Sequence, residues 1–235
     1  MKIGLCLLTL NEFDGCKHDI PKIKFNKFDE IFAVDGGSND GTVEYLEQNN
    51  IKVYKQEKAG YNQAYIESFK HCHTDALIFF HPKGSINPEE ALKFRKYFEN
   101  GYELIIASRM LNKSVNEEDK KIIKYRKWFV LGLSRIASIL WRKKVKRIKD
   151  VLHGFRGITK NAFYKIDPLP CGLSLDIEMV IRGYKKNIKM IEFPVEENNR
   201  VAGDTHFKAI PTGKKLLKYM WFELFRKEKK INVFQ

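Results

Sequence analysis

Cysteine is scarce in this chain. The four present, Cys6, Cys16, Cys72 and Cys171, are scattered through 235 residues without a CxxC pair, which excludes a disulfide framework and sets the expectation of a reducing cytoplasm. Long apolar runs are missing too. The opening MKIGLCLLTLNE is apolar over about one strand's length and lacks the longer apolar region and cleavage site of a secretory signal. No repeat, low-complexity tract or Pro/Gly/Ser-rich linker divides the sequence, so one large domain, or one domain with an appendage, is expected. What is plentiful is apolar: 43% hydrophobic and 13% aromatic residues exclude a disordered chain.

Acid is missing locally. Residues 120–149 hold 12 Lys/Arg and no Asp or Glu, and residues 208–230 hold eight Lys/Arg and two acids. The formal charge of +14 is therefore concentrated, because these two stretches carry +12 and +6 and leave the remainder at −4. Both stretches interleave their charge with aromatics, as in KYRKWFVLGLSRIASILW and KKLLKYMWFELFRKEKK. From Trp128 to Trp141 there are only 14 residues, interrupted by Arg135, too few and too charged to span a bilayer. Basic residues flanking Trp, Phe and Leu describe helices lying in an anionic membrane interface. The plainer alternative is buried helices with solvated basic ends. No nucleic-acid-binding motif accompanies the charge, and no nucleic-acid partner is expected.

The first hundred residues alternate short apolar runs with helical patterns. Strands are predicted at Ile3–Thr9, Glu30–Asp35, Ile51–Tyr54, Ala76–Phe80 and Glu103–Ser108, and helices at Thr42–Gln48, Tyr61–Cys72 and Glu89–Glu99. That rhythm predicts an α/β fold, a mostly parallel sheet with helices on both faces. It breaks in the basic stretch and resumes with a helix at Ser174–Lys185 and a strand at Ile188–Val195.

Ligand sites in open α/β sheets gather at strand carboxyl ends. The first strand ends in TLNE and the second in VDGGSNDGT, delivering acids and small polar groups to one edge. TLNE, AVDGGSNDGT and KAGYNQAYIESF together resemble the nucleotide-sugar half of a family-2 glycosyltransferase of the GT-A (Rossmann-like) fold. Downstream, ASRM, DVLHGFRGI, CGLSLDIEMVIRGYKKNIKMIEFPV and NNRVAGDTHF resemble the dolichyl-phosphate mannose synthase and polyprenyl-phosphate glycosyltransferase branch. The likeness covers about residues 3–210 and implies a GT-A domain over 1–210; the charge pattern adds a basic amphipathic insertion at about 118–149 and a basic C-terminal amphipathic helix over 211–235. The likeness implies that Thr9, Asn11, Glu12, Asp35, Gly37, Asp40, Gly60 and His81 form the nucleotide site, Asp35 towards base and ribose and Asp40 capping the helix that follows and steadying the loop.

Enzymes of this branch pass a sugar from a nucleoside diphosphate to a polyprenyl phosphate, with inversion. An anionic acceptor needs no protein base. It needs positioning, and the leaving diphosphate needs neutralising. Arg109 in ASRM and Arg200 in NNRVAGDT match arginines that meet acceptor phosphate in relatives, and Arg126 matches a third, although the serine that follows it in the family is not clearly present. Arginine suits bidentate phosphate contact. With Lys83, Arg109 and Arg200 are the expected catalytic cations.

His81-Pro82-Lys83 departs from the family pattern, because it falls where an Asp-x-Asp pair normally grips a diphosphate-bound metal. Mg²⁺ or Mn²⁺ is therefore disfavoured: Mg²⁺ takes oxygen ligands and Lys83 repels a cation, which leaves His81 as a weak candidate ligand for a transition metal. Two readings stand. Either Lys83 is a direct counter-charge to the diphosphate in a metal-independent enzyme, or the fold has lost transfer and keeps nucleotide or lipid binding as a scaffold.

Other features point less far. HCHTD at 71–74 and Asp75 resembles a metal cluster but lies at a helix end. Asp176 and Glu178 sit two apart and point different ways, although Glu178 matches a family acid expected to face the site, and Asp150 matches the aspartate preceding GFR. The expectation is a cytoplasmic transferase, peripheral on the inner membrane face, using a nucleoside-diphosphate sugar and a polyprenyl phosphate. A transferase acting on a soluble glycan is the remaining alternative.

Overall fold

The computed structural model describes residues 1–116, 119, 124–170, 172–203 and 209–226. Residues 117–118, 120–123, 171, 204–208 and 227–235 lie outside them, among them parts of both basic stretches and the last four residues of NNRVAGDTHF. The chain runs β1 (Ile3–Thr9), α1 (Phe13–Asp19), β2 (Glu30–Asp35), α2 (Thr42–Gln48), β3 (Lys52–Lys55), α3 (Tyr61–His71), β4 (Ala76–Phe80), α4 (Lys93–Glu99), β5 (Leu104–Ser108), α5 (Tyr125–Trp141), β6 (Arg156–Thr159), α6 (Lys160–Ile166), α7 (Leu175–Lys185), β7 (Met190–Pro194) and α8 (Ala209–Phe225).

Seven strands form one sheet in the order β3-β2-β1-β4-β6-β5-β7. All neighbours are parallel except β6, which runs antiparallel to both β4 and β5. The central β1 is buried along its whole length, as expected of a strand covered on both faces. Its side chains alternate between two cores. Cys6 and Leu8 join Phe69, Ile177 and Tyr219 under α3, α5, α6, α7 and α8, while Ile3, Leu5 and Leu7 join Cys16, Leu46 and Phe94 under α1, α2 and α4. Burying a phenylalanine such as Phe94 contributes about 1.5–3 kcal/mol.

The predicted elements are present with small boundary shifts, and two corrections have physical causes. The helix expected over Glu89–Glu99 begins as a 3-10 turn, Pro88–Leu92, because Pro88 follows Asn87, whose side chain accepts the Glu89 N–H at 3.1 Å; α-helix starts only at Lys93. The four-residue β6 and the seven-residue α1 are not legible as elements, nor is α6, which Thr159 caps through the Ala162 N–H. Strand β6 carries the fully buried Arg156, and α1 contains Gly15.

Helices α5 and α8 each bury one stripe. Val130, Leu133, Ala137 and Trp141 on α5 and Leu216, Tyr219, Met220 and Glu223 on α8 face inward. Their outer faces remain apolar: Trp128, Ile136, Ile139 and Leu140 on one, Leu217, Trp221, Phe222 and Phe225 on the other. The two helices are adjacent, since a Cβ placed on Gly213 would lie 3.2 Å from the Phe129 ring. No described helix is long and apolar enough to cross a membrane.

Candidate functional site

Parallel register places Thr9 opposite Asp35 at the carboxyl ends of β1 and β2. The buried Asp35 carboxylate accepts from Thr9 Oγ1 (2.8 Å), Gly37 N (2.9 Å), Ser38 N (2.7 Å) and Ser38 Oγ (2.5 Å). These four bonds occupy its main acceptor directions, so Asp35 builds the loop that follows it. Gly37 has φ of 101°, a conformation costly for other residues. Asn11, at φ 52°, stitches the two loops together: its N–H donates to Ser38 Oγ (2.8 Å) and its Oδ1 accepts from Asn39 N (2.9 Å).

Asp40 joins the starts of two helices. Its carboxylate accepts from Phe13 N (3.1 Å) at the start of α1 and from Thr42 N (3.0 Å) at the start of α2. Burial pushes its pKa up, but these bonds and the one from the Thr42 hydroxyl outweigh it and hold the group below the usual carboxylate value. Gly60 precedes α3, and its carbonyl accepts from Gln56 Nε2 at 3.0 Å.

The His81-Pro82-Lys83 turn leaves β4 in the middle of this edge and is wedged on two sides by glycines. A Cβ on Gly15 of α1 would lie 2.1 Å from the Pro82 carbonyl oxygen, and one on Gly154 would lie 2.7 Å from His81 Nε2 and 2.9 Å from Tyr61 Oη. His81 is stacked nearly parallel to Tyr61 and lies 3.3 Å from Tyr65 Oη. Tyr61 Oη in turn donates to Asp176 (2.8 Å), which pairs with the buried Arg156 at 3.1 Å. Burial, followed by the nearby Lys83 charge, pushes His81 well below the ordinary histidine pKa, so the ring is neutral.

Around the turn lies a lattice of paired charges. Arg109 grips buried Asp150 with Nε (2.9 Å) and Nη2 (3.0 Å) and reaches Glu197 with Nη1 (3.0 Å). Burial disfavours ionised Asp150, but Arg109 overrides it and holds the carboxyl well below its usual range. Arg200 binds Glu12 at 2.5 Å. Val201 N donates to the Lys83 carbonyl (3.1 Å), so the loop bearing Arg200 lies against the turn. His153 Nδ1 bonds to the Ala107 carbonyl, and burial followed by Arg109 pushes it down to about 4.

Lys83 is the exception. Its ammonium group makes no hydrogen bond or ion pair among the described residues, although Glu12, Arg200, Glu197 and Arg109 all act on it electrostatically. Burial pushes its pKa below the ordinary lysine value, with Glu12 opposing.

The structure thus brings together Thr9, Asn11, Asp35, Gly37 and Asp40 in one loop pair, and Glu12, His81, Lys83, Arg109 and Arg200 around the turn. Arg126 lies partly exposed in the first turn of α5. Glu178 does not face the site. It is fully buried, bonded to Arg182 (2.6 Å) and Leu169 N (2.8 Å), because its turn of α7 faces α6 and α8. Asp176 points the other way, towards Tyr61 and Arg156. In HCHTD, His71 stacks on Tyr54 and Cys72 is buried against Thr74. His153 stands where relatives carry a serine after the aspartate that precedes GFR, whereas Glu197, Tyr61 and Tyr65 are not marked in the sequence, beyond the i, i+4 spacing that puts the two tyrosines on one helix face.

A divalent ion of the kind implied by the missing Asp-x-Asp pair would need oxygen donors. The turn offers an imidazole and an ammonium. Nearby carboxylates are already engaged: Glu12 by Arg200, Asp150 and Glu197 by Arg109, Asp176 by Arg156 and Tyr61. No metal-holding group of three or more His, Cys, Asp or Glu occurs among the described residues. The donor set does not fit such an ion.

The seven-stranded, mostly parallel sheet with helices on both faces is the GT-A fold. The chain belongs to the family described as glycosyl transferase family 2, whose profile matches residues 16–167. Glycosyltransferase AglJ of Haloferax volcanii is 25% identical over 97% of this chain and 73% of its own length. A dolichol-phosphate mannosyltransferase of Pyrococcus furiosus is 27% identical over 94% of this chain. The chain spans 62% of that relative's length, under two thirds. Among solved structures, glucosyl-3-phosphoglycerate synthase from Mycobacterium tuberculosis, in complex with Mn²⁺, UDP and glucosyl-3-phosphoglycerate, superposes with a TM-score of 0.70 at 12% identity, covering 100% of this chain and 84% of that one. Its UDP complex gives 0.69 at 13% identity. At such identity the likeness is one of fold.

Proposed function

We propose that this protein transfers a sugar from a nucleoside-diphosphate donor to a polyprenyl phosphate, working on the cytoplasmic surface of a membrane. The carrying observation is the placement of Lys83, Arg109 and Arg200 at one edge, beside the loops built by Asp35 and Asn11. A donor and an acceptor that both carry phosphate need cations fixed before the reaction. The named relatives support the acceptor class, since one of them is a dolichol-phosphate mannosyltransferase. The outward apolar faces of α5 and α8, with exposed Lys214, Lys215 and Lys218 on α8, suit an anionic bilayer. Transfer then proceeds without a divalent ion, in keeping with the donors at residues 81–83.

The test is transfer of labelled sugar from UDP- and GDP-sugars into vesicles carrying a polyprenyl phosphate, followed by solvent extraction. Label is expected in the lipid phase, and Arg200→Lys should slow its appearance about 10-fold or more, the order expected for a misaligned charge-assisted contact. Label found only on a water-soluble glycan would replace the lipid acceptor with a soluble one.

A further inference from the structure

We propose that the Lys83 ammonium group takes the place of a divalent ion and binds the donor diphosphate directly, making the donor site metal-free. This rests on the nucleoside-diphosphate donor proposed above and names the group that meets the diphosphate.

Three observations carry it. The first is position: the turn leaves central β4 between the β1 loop and the Arg200 loop, where donor and acceptor would meet. The second is rigidity. Besides Gly15 and Gly154, the turn is held by Gly84 N donating to Asp19 (2.8 Å), Val201 N to the Lys83 carbonyl (3.1 Å) and Asn198 N to the Ser85 carbonyl (2.8 Å). A cation fixed in advance stabilises developing charge without reorganising. The third is valence. Arg109 and Arg200 are committed to carboxylates, while the half-buried Lys83 ammonium has no bonded partner among the described residues. A partly desolvated ammonium without a partner is costly unless a ligand completes it. A diphosphate oxygen is such a ligand.

The chemistry balances without a metal or a base. An anionic oxygen of the acceptor phosphate forms a bond to the sugar C1 as the C1–O bond to the donor's β-phosphate breaks. The bonding pair leaves on the nucleoside diphosphate, where Lys83 faces the growing charge, and no proton has to move.

Calorimetry of the full chain in EDTA, comparing UDP and GDP with UMP and GMP, isolates the β-phosphate contribution. The wild type should bind its preferred diphosphate about 10- to 100-fold more tightly than the monophosphate, the range of one hydrogen bond to a charged group. Lys83→Met should erase that ratio while leaving monophosphate binding within about twofold, and Lys83→Arg should keep part of it. His81→Asp with Lys83→Asp should bind the diphosphate only when Mn²⁺ is added, with the ion visible in an EPR titration. Thermal melting checks that each variant is folded. If wild-type diphosphate binding needs Mg²⁺ or Mn²⁺, or if the ratio survives in Lys83→Met, the proposal is overturned and the donor assignment stands. If no nucleotide binds under any condition, the donor assignment itself falls and the role of Lys83 falls with it.

Discussion

At the residue scale, the site is built by pairing charges and by leaving out side chains. Arg109 stood out in ASRM, but nothing in the sequence marked Glu197 as its partner, 88 positions away. Gly154 reads as part of HGFRG, yet its reason is steric, because His81 and Tyr61 pack where its Cβ would be. Gly154→Ala should therefore force both rings aside, destabilising the protein by about 1–3 kcal/mol and weakening nucleotide binding. Urea denaturation reads the first effect and calorimetry the second. An unchanged urea midpoint would mean that the rings yield freely.

At the scale of elements, the edge depends on where strands stop and helices begin. Candidate residues concentrate where β1, β2, β4 and β5 release the chain, and these strands were legible because buried parallel strands are continuous apolar runs. β6 was not, since its antiparallel pairing and buried Arg156 serve the neighbouring elements rather than any local pattern. Helix α8 offers a prediction of its own. Trp221→Glu together with Phe225→Glu alters side chains 66% and 68% exposed, so stability should move by less than about 1 kcal/mol. Co-sedimentation with anionic vesicles at physiological salt should fall several-fold, and undiminished co-sedimentation would remove α8 from the membrane surface.

The whole molecule responds to acid through buried histidines. His153 is held neutral, with its pKa pushed from 6.5 down to about 4. An unfolded chain takes up that proton as pH falls through about 6.5, whereas the native state takes it only near 4. Stability is therefore complete above the unfolded value and is lost as pH drops between the two, by about 3 kcal/mol at most from this group. His81, shifted the same way, adds to the trend. Urea midpoints at pH 7 and pH 4.5 check it, and His153→Gln should flatten part of the difference.

The strand–helix alternation, the glycine-rich turn after β2, the two basic aromatic stretches and the lack of an acid pair after β4 are all written in adjacent residues and so can be read from the chain alone. Tertiary structure decided which charges meet. It closed Arg109 onto Asp150 and Glu197, tied Arg200 to Glu12 across 188 positions, turned Glu178 into the core and left the Lys83 ammonium without a partner among the described residues. Periodicity reports which side of an element is buried, but a charge's partners depend on how elements pack, and packing brings together residues far apart in the chain.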